Sequence, residues 1–269
     1  MRRIKLIAVD LDDTLLDPGL KITPRVKKAV GRASERGVAV VLATGRMFRA
    51  ALPFAEELDL ETPLITYQGA LVKDRAGSVY FYQPVPCELA RDVIEHLLPT
   101  GFHLQVYVDD TLCMSRLTLE GERYARLSGV TPRVVGDLLQ FLRVSPAKIV
   151  MIAPETEIDK LLPGLVTRYS GLLHVSKSKP YFLELSHPQA TKGEALKRLT
   201  AELGIGREEV MAVGDGYNDI SMLEFAGLAV VVENARSEIK AYAAHVTAAN
   251  DKDGVALAIE RLVLGEQTL

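Results

Sequence analysis

The chain has 269 residues, 48% of them hydrophobic and 25% charged, with a formal net charge of −3. That is an ordinary globular composition, enough for one large or two modest domains, and its charge excludes a bulk bias toward nucleic acid or a membrane surface. No apolar run approaches the ~18 residues that span a bilayer, and two cysteines, Cys87 and Cys113, form no disulfide framework, so the expected compartment is the cytosol.

In chain order, Ile4 to Val9 reads as a fully buried strand. Thr23-Pro24 opens a helix, with Thr as cap and Pro in the first turn, and Gly37 ends it. A second strand runs from Val38 to Ala43, followed by a helix carrying Phe48, Leu52 and Ala55. Leu64 to Tyr67 is a third strand, and a hairpin turns at Asp74-Arg75-Ala76-Gly77. The same βα alternation resumes after residue 187, with helices near 191–204 and 218–226, strands Val210 to Val213 and Leu228 to Val232, and a last helix near 254–263.

The middle differs. A helix (87–98), two strands (102–108 and 111–115) turning at Asp109-Asp110, a helix (118–128) and a β-α-β-β series are expected there. Pro84-Val85-Pro86 and His187-Pro188 mark two crossings between domains. The predicted architecture is α/β: a Rossmann-like parallel-sheet core made of residues 1–83 and 187–269, with an α+β domain, 84–186, inserted into it.

Four apolar runs stop at residues suited to handling a phosphate, and the expectation is that they are neighbouring strands of one parallel sheet. The first delivers Asp10, then Asp12 and Thr14. A lone strand-end Asp reads as a turn residue, but two carboxylates at i and i+2 backed by Thr suggest an Asp10 nucleophile with Asp12 as acid and base. Asp13 reads as a solvated turn residue. The second run delivers Thr44-Gly45-Arg46: a hydroxyl and backbone N–H groups at a helix start make an anion site, which competes with a plain Thr cap.

The third run ends at Ser186, shortly before Thr191-Lys192-Gly193-Glu194, a capping box that puts Lys192 in the first helical turn. The helix dipole disfavours a cation there, so a task offsetting charge on a phosphate and on Asp10 is indicated. The fourth run delivers Gly214-Asp215, then Asn218-Asp219. Asp215 is placed to hold Mg²⁺ with Asp10 and the backbone carbonyl of Asp12, an oxygen-only set that suits that hard ion. Asn218 and Asp219 also read as helix caps. Gly204-x-Gly206 is no dinucleotide fingerprint, and the five histidines lack metal-ligand spacing. His96, His103 and His174 read as partly buried structural residues, and Tyr107, Tyr181 and Phe182 as strand core.

Together, Asp10-Leu11-Asp12-Asp13-Thr14, Ala43-Thr44-Gly45-Arg46, Thr191-Lys192-Gly193 and Gly214-Asp215-Gly216-Tyr217-Asn218-Asp219 resemble the four ordered motifs of the haloacid dehalogenase superfamily. The stretch between Asp10 and Thr44 is too short for a domain, whereas that between Thr44 and Lys192 holds a cap of about a hundred residues. This is similar to the type IIB cap of the Cof-like hydrolases, as is the tail Asn250-Asp251-Lys252-Asp253-Gly254-Val255. The resemblance implies Mg²⁺-dependent hydrolysis of small phosphate monoesters such as sugar phosphates, FMN or pyridoxal phosphate. It implies Asp10, Asp12 and Lys192 as catalytic residues and Asp10, Asp12 and Asp215 as the metal site. Leu11 (through its backbone), Thr44, Gly45, Lys192 and Asn218 would hold the phosphoryl group, and Asp219 would support the metal site from behind. The implied partner is a small phosphorylated metabolite, with no nucleic acid, membrane or obligate protein partner. Two positions depart from the family pattern: Gln68 where Asn is usual, and Glu233 where Gly is favoured.

Two other readings share these residues. A phosphomutase would need a second phosphate site in the inserted domain, where only scattered cations such as Arg116, Arg123, Arg126 and Lys148 occur. A phospho-accepting receiver module also uses Asp, Mg²⁺, Thr and Lys, but is much shorter and has no acid/base at the position of Asp12.

Overall fold

The computed structural model describes residues 3–266. Two compact units divide the chain. Among the described residues, one takes in 3–45, Ala51–Phe81 and 191–266; the other takes in Arg46–Ala50 and Tyr82–Ala190.

The first unit is built on a five-stranded sheet in the order His245–Thr247, Leu228–Val232, Val210–Gly214, Leu6–Val9, Ala39–Leu42. Every neighbouring pair is parallel. Leu6–Val9 is buried along its whole length, as expected of an apolar strand covered on both faces. One face packs Leu6, Ala8, Val41, Ala212 and Val231 against Ala195, Leu196 and Leu199 of helix Lys192–Glu202 and Met222 and Leu223 of helix Ile220–Phe225. Helix Pro24–Glu35 begins as its sequence indicates: the Thr23 hydroxyl accepts the Val26 N–H, and Pro24 stands in the first turn. Leu64–Thr66 meets the parallel sheet only through a bridge between Ile65 and Ala43. It pairs instead with Leu71–Lys73 in a three-stranded sheet completed by Val79–Tyr82.

One expectation fails here. The run ending at Ser186 is not a neighbour of the parallel strands: Phe182–Ser186 lies in the second unit's sheet, antiparallel to His174–Lys179 and Ile149–Ile152. The reason is visible in its side chains. Leu183 and Leu185 enter an apolar cluster while Glu184 and Ser186 take the opposite face. Such alternation marks an antiparallel strand with two unlike faces, whereas central parallel strands such as Leu6–Val9 are apolar throughout. Lys192 is therefore delivered by the start of a helix.

The second unit carries a six-stranded sheet in the order His174–Lys179, Phe182–Ser186, Ile149–Ile152, His103–Val108, Thr111–Met114, Arg133–Val134. Asp109 (φ 49°) and Asp110 (φ 52°) make a turn whose left-handed residues match strand twist. Leu104, Val106, Ile149 and Met151 pack on Val93, Ile94 and Leu97 of helix Cys87–Leu97 and on Ile158 and Leu165 of helix Glu155–Arg168.

The other face is polar and equally buried. Thr118 Oγ1 meets His103 Nδ1 at 2.8 Å, and His103 Nε2 meets Gln105 Oε1 at 3.1 Å. The Gln105 amide donates to the Tyr107 hydroxyl (2.8 Å), which donates to that of Tyr124 (2.6 Å). Beside them Lys148 Nζ donates to Glu184 Oε2 at 2.9 Å and lies 5.3 Å from the centre of the Tyr107 ring. His103 and Tyr107 are thus interior, but His96, His174 and Tyr181 are exposed, contrary to expectation. His96 lies near the end of a surface helix, His174 starts a sheet-edge strand, and Tyr181 stands in the turn between two strands. Arg133–Val134, Leu138–Phe141 and His245–Thr247 are elements too short to announce themselves by periodicity. Among the described residues no helix is long and apolar enough to cross a membrane.

Two outcomes follow. Removing one partner of the buried Lys148–Glu184 pair strands the other charge, so Lys148→Met is expected to cost about 3–5 kcal/mol in denaturant unfolding. Pairing it with Glu184→Leu should recover most of that loss. Burial also holds the His103 imidazole below its ordinary 6.5. The unfolded chain then takes up a proton more readily than the folded one, so stability is full above pH ~6.5 and falls as pH drops through the folded value. His103→Gln should flatten that acid limb of the unfolding midpoint against pH.

Candidate active site

The strands of the first unit set out the site. Leu6–Val9 ends in Asp10, and its neighbour Val210–Gly214 ends beside Asp215. From Asp10 the chain enters a turn closed by two bonds that each reach back five residues, Leu15 N–H to the Asp10 carbonyl (3.2 Å) and Leu16 N–H to the Leu11 carbonyl (2.9 Å). Inside it Asp12 is extended and Asp13 is left-handed (φ 61°). Asp12 is half-buried and Asp13 exposed.

Lys192, wholly buried, opens helix Lys192–Glu202. The Thr191 hydroxyl accepts the Glu194 N–H, whereas the Glu194 carboxylate turns to Arg198 and Lys197. Lys192 Nζ reaches Asp10 Oδ1 at 2.5 Å and Asp219 Oδ1 at 2.6 Å. The remaining oxygen of Asp219 accepts the N–H groups of Asp215 (3.0 Å) and Gly216 (2.9 Å), which fixes the loop bearing Asp215. The Thr14 hydroxyl donates to Asp215 Oδ1 at 2.6 Å. That bond ties the first motif to the fourth, and the sequence offers it only as a Thr two places beyond Asp12.

Glycines allow these close approaches. A Cβ on Gly214 would stand 2.7 Å from Asp219, and one on Gly69 (φ 104°) would stand 2.2 Å from the Thr191 carbonyl. Gly45 faces Gln68, whose amide nitrogen would be 2.5 Å from a Cβ there. Gln68, itself left-handed (φ 62°), donates its N–H to the Thr44 carbonyl and accepts from the Asn218 amide at 3.0 Å. The residue that departs from the family pattern thus links the second and fourth motifs. Thr44 is fully buried and its N–H donates to the Ile65 carbonyl. Glu233, the other departure, pairs with Lys240 at 2.8 Å.

Of the sequence-predicted residues, Asp10, Lys192, Asp215 and Asp219 are brought together directly, and Thr44, Gly45 and Asn218 meet around Gln68. Oxygens of Asp10, Asp215 and Asp219 all lie within 4.8 Å of one another. Three carboxylates with one ammonium leave two negative charges in excess. Burial, with repulsion from Asp219 and Asp215, outweighs the pull of Lys192 and raises the Asp10 carboxyl above its ordinary value, and burial with Asp219 and Asp13 nearby pushes Asp215 up to about 6. Burial works against the Lys192 ammonium, but Asp10 and Asp219 outweigh it and raise its pKa. An all-oxygen donor set with that surplus fits a divalent cation. Asp219 has both oxygens committed to Lys192 and the loop, so Asp10 and Asp215 are the carboxylates suited to face it. Lys192→Met would leave Asp10 and Asp219 buried without a counter-charge, a loss of about 3–5 kcal/mol. Thermal unfolding in chelator should register it, and a divalent cation should restore part of the midpoint.

The sequence profile of the haloacid dehalogenase-like hydrolases matches residues 7–259. Phosphatase YwpJ of Bacillus subtilis is 30% identical, covering 97% of this chain and 100% of its own length. The 5-amino-6-(5-phospho-D-ribitylamino)uracil phosphatase YwtE of the same organism is 28% identical over 98% of this chain and 99% of its own. A crystal structure of a haloacid dehalogenase-like hydrolase from Bacteroides thetaiotaomicron superposes with a TM-score of 0.90 at 31% identity, covering 97% of this chain and 100% of that one. The chain belongs to the haloacid dehalogenase-like hydrolases.

Proposed function

We propose that this phosphatase hydrolyses small phosphate monoesters in two steps, passing the phosphoryl group first to Asp10 and then to water, with Mg²⁺ as its cation. The observation that carries the reading is the buried Lys192 ammonium shared by Asp10 and Asp219, with Asp215 alongside. A structural core has no use for that much uncompensated negative charge, whereas a site for a metal ion and a phosphate does.

In the first step an Asp10 carboxylate oxygen bonds to phosphorus as the ester P–O bond breaks, and Asp12, as the carboxylic acid, gives its proton to the departing alkoxide. In the second, Asp12 takes a proton from water, the water oxygen bonds to phosphorus, and the bond from Asp10 to phosphorus breaks to release inorganic phosphate and free Asp10. Lys192, the Leu11 N–H, Thr44, Gly45 and Asn218 hold the phosphoryl oxygens, and Asp219 keeps Lys192 and the Asp215 loop in place. Mg²⁺ bound by Asp10, Asp215 and the Asp12 carbonyl would supply charge neutralisation to the phosphate. Uncatalysed monoester hydrolysis is so slow that the barrier must fall by something near twenty kcal/mol, most of it through such positioning and charge.

Residues 84–186 serve in this reading as the cap that selects the substrate. Sugar phosphates and phosphorylated cofactors are the class proposed. A relative named for a phosphorylated ribitylamino-uracil supports that class.

Phosphate release across sugar phosphates, nucleotides, FMN and pyridoxal phosphate tests the reading. Turnover is expected with Mg²⁺, not in chelator, and Asp10→Asn should lower it roughly 10³-fold or more. Turnover that survives Asp10→Asn would exclude the aspartyl-phosphate route.

A further inference from the structure

Two asparagines outside the four motifs hold the turn that carries Asp12. Asn234 follows strand Leu228–Val232, and Asn250 follows strand His245–Thr247. The Asn234 amide donates to the Asp13 carbonyl at 2.7 Å. Its oxygen accepts the backbone N–H of Asn250 at 3.0 Å, and the Asn250 amide donates to the Leu16 carbonyl at 2.8 Å. The chain of three bonds joins the Asp13 carbonyl, in the middle of the turn, to the Leu16 carbonyl at its end.

The direction of each bond is determined. Rotating the Asn234 amide by half a turn would set NH₂ against the Asn250 N–H and oxygen against the Asp13 carbonyl, two repulsive contacts in place of two bonds. The turn needs such support. Asp13 is a non-glycine residue in the left-handed region, a strained conformation that persists where the surroundings hold it. The peptide between Asp12 and Asp13 sets where the Asp12 carboxyl points. The Asp13 carbonyl lies in the next peptide, between Asp13 and Thr14, and pinning it holds Asp13 in its left-handed conformation and, through Asp13, the backbone that carries Asp12.

We propose that Asn234 and Asn250 are positioning residues that aim Asp12 for proton transfer to the leaving group. Neither belongs to the set that meets the phosphate, so they act through the Asp13 and Leu16 carbonyls alone. The inference rests on the reading of Asp12 as general acid.

The test compares kcat/KM on a sugar phosphate, whose alkoxide must be protonated to leave, with that on p-nitrophenyl phosphate, whose phenolate leaves unaided. This ratio reads events only through leaving-group departure. Asp12→Asn is the reference and should depress the alkyl substrate about 10²- to 10⁴-fold while sparing the aryl one. Asn234→Ala should depress the alkyl substrate about ten- to a hundredfold, chiefly through kcat, with the aryl value within about threefold of wild type. Asn234→Asp keeps the acceptor for Asn250 but lacks the donor to Asp13, and should show the same separation. Asn234 is exposed, so both variants are expected to fold, and a thermal melt checks it. Equal losses on both substrates, or no loss on either, would overturn the positioning role provided Asp12→Asn separates them. If Asp12→Asn fails to separate them, the general-acid reading falls and takes the inference with it, and that control tells the two failures apart.

Discussion

The Lys192 ammonium, buried between Asp10 and Asp219, is the interaction on which the first unit's chemistry depends. A lone buried cation would be expelled or neutralised, and a lone buried pair of carboxylates would share a proton. Each makes the other tolerable. The balance is incomplete, because Asp215 adds a third carboxylate within reach of the same oxygens. That residual charge fits the site to a divalent cation and an anionic substrate together.

Backbone geometry supports this arrangement at every side. The parallel sheet brings the ends of Leu6–Val9 and Val210–Gly214 next to one another, where strand ends of such sheets leave room for ligands. Gly69 lets its loop lie against the Thr191 carbonyl, so the helix bearing Lys192 can start where it does. Gly193, whose Cβ would fall 2.2 Å from the Ser221 carbonyl, lets the helices starting at Lys192 and Ile220 pack closely enough for Lys192 to reach Asp219. Two left-handed residues, Asp13 and Gln68, stand in the loops that form the site. Strain of that kind is retained where geometry matters more than local stability.

The second unit shows a different economy. Its sheet has one apolar face and one buried polar face, where a run of oriented hydrogen bonds from Thr118 to Tyr124 satisfies every group it buries. Such a face is costly unless complete, and complete ones hold side chains in one arrangement. The Lys148–Glu184 pair follows the same rule, with Ser178 donating to the second Glu184 oxygen.

Much of this was legible in the residues. Uniformly apolar strands such as Leu6–Val9 announce a buried parallel sheet because no alternation is needed when both faces are covered. Lys192 stood out because a first helical turn is a poor place for a cation unless something nearby is negative. By itself, then, the sequence determined the α/β class and the order of the carboxylates, hydroxyl and lysine along the chain, since strand burial, caps and motif order are local properties. Tertiary structure alone decided that Phe182–Ser186 joins the second sheet, that Gln68 links Gly45 to Asn218, and that Asn234 and Asn250 brace the turn bearing Asp12. Those partners are far apart along the chain, and hydrogen-bonding residues carry no periodicity that names the carbonyl they will meet.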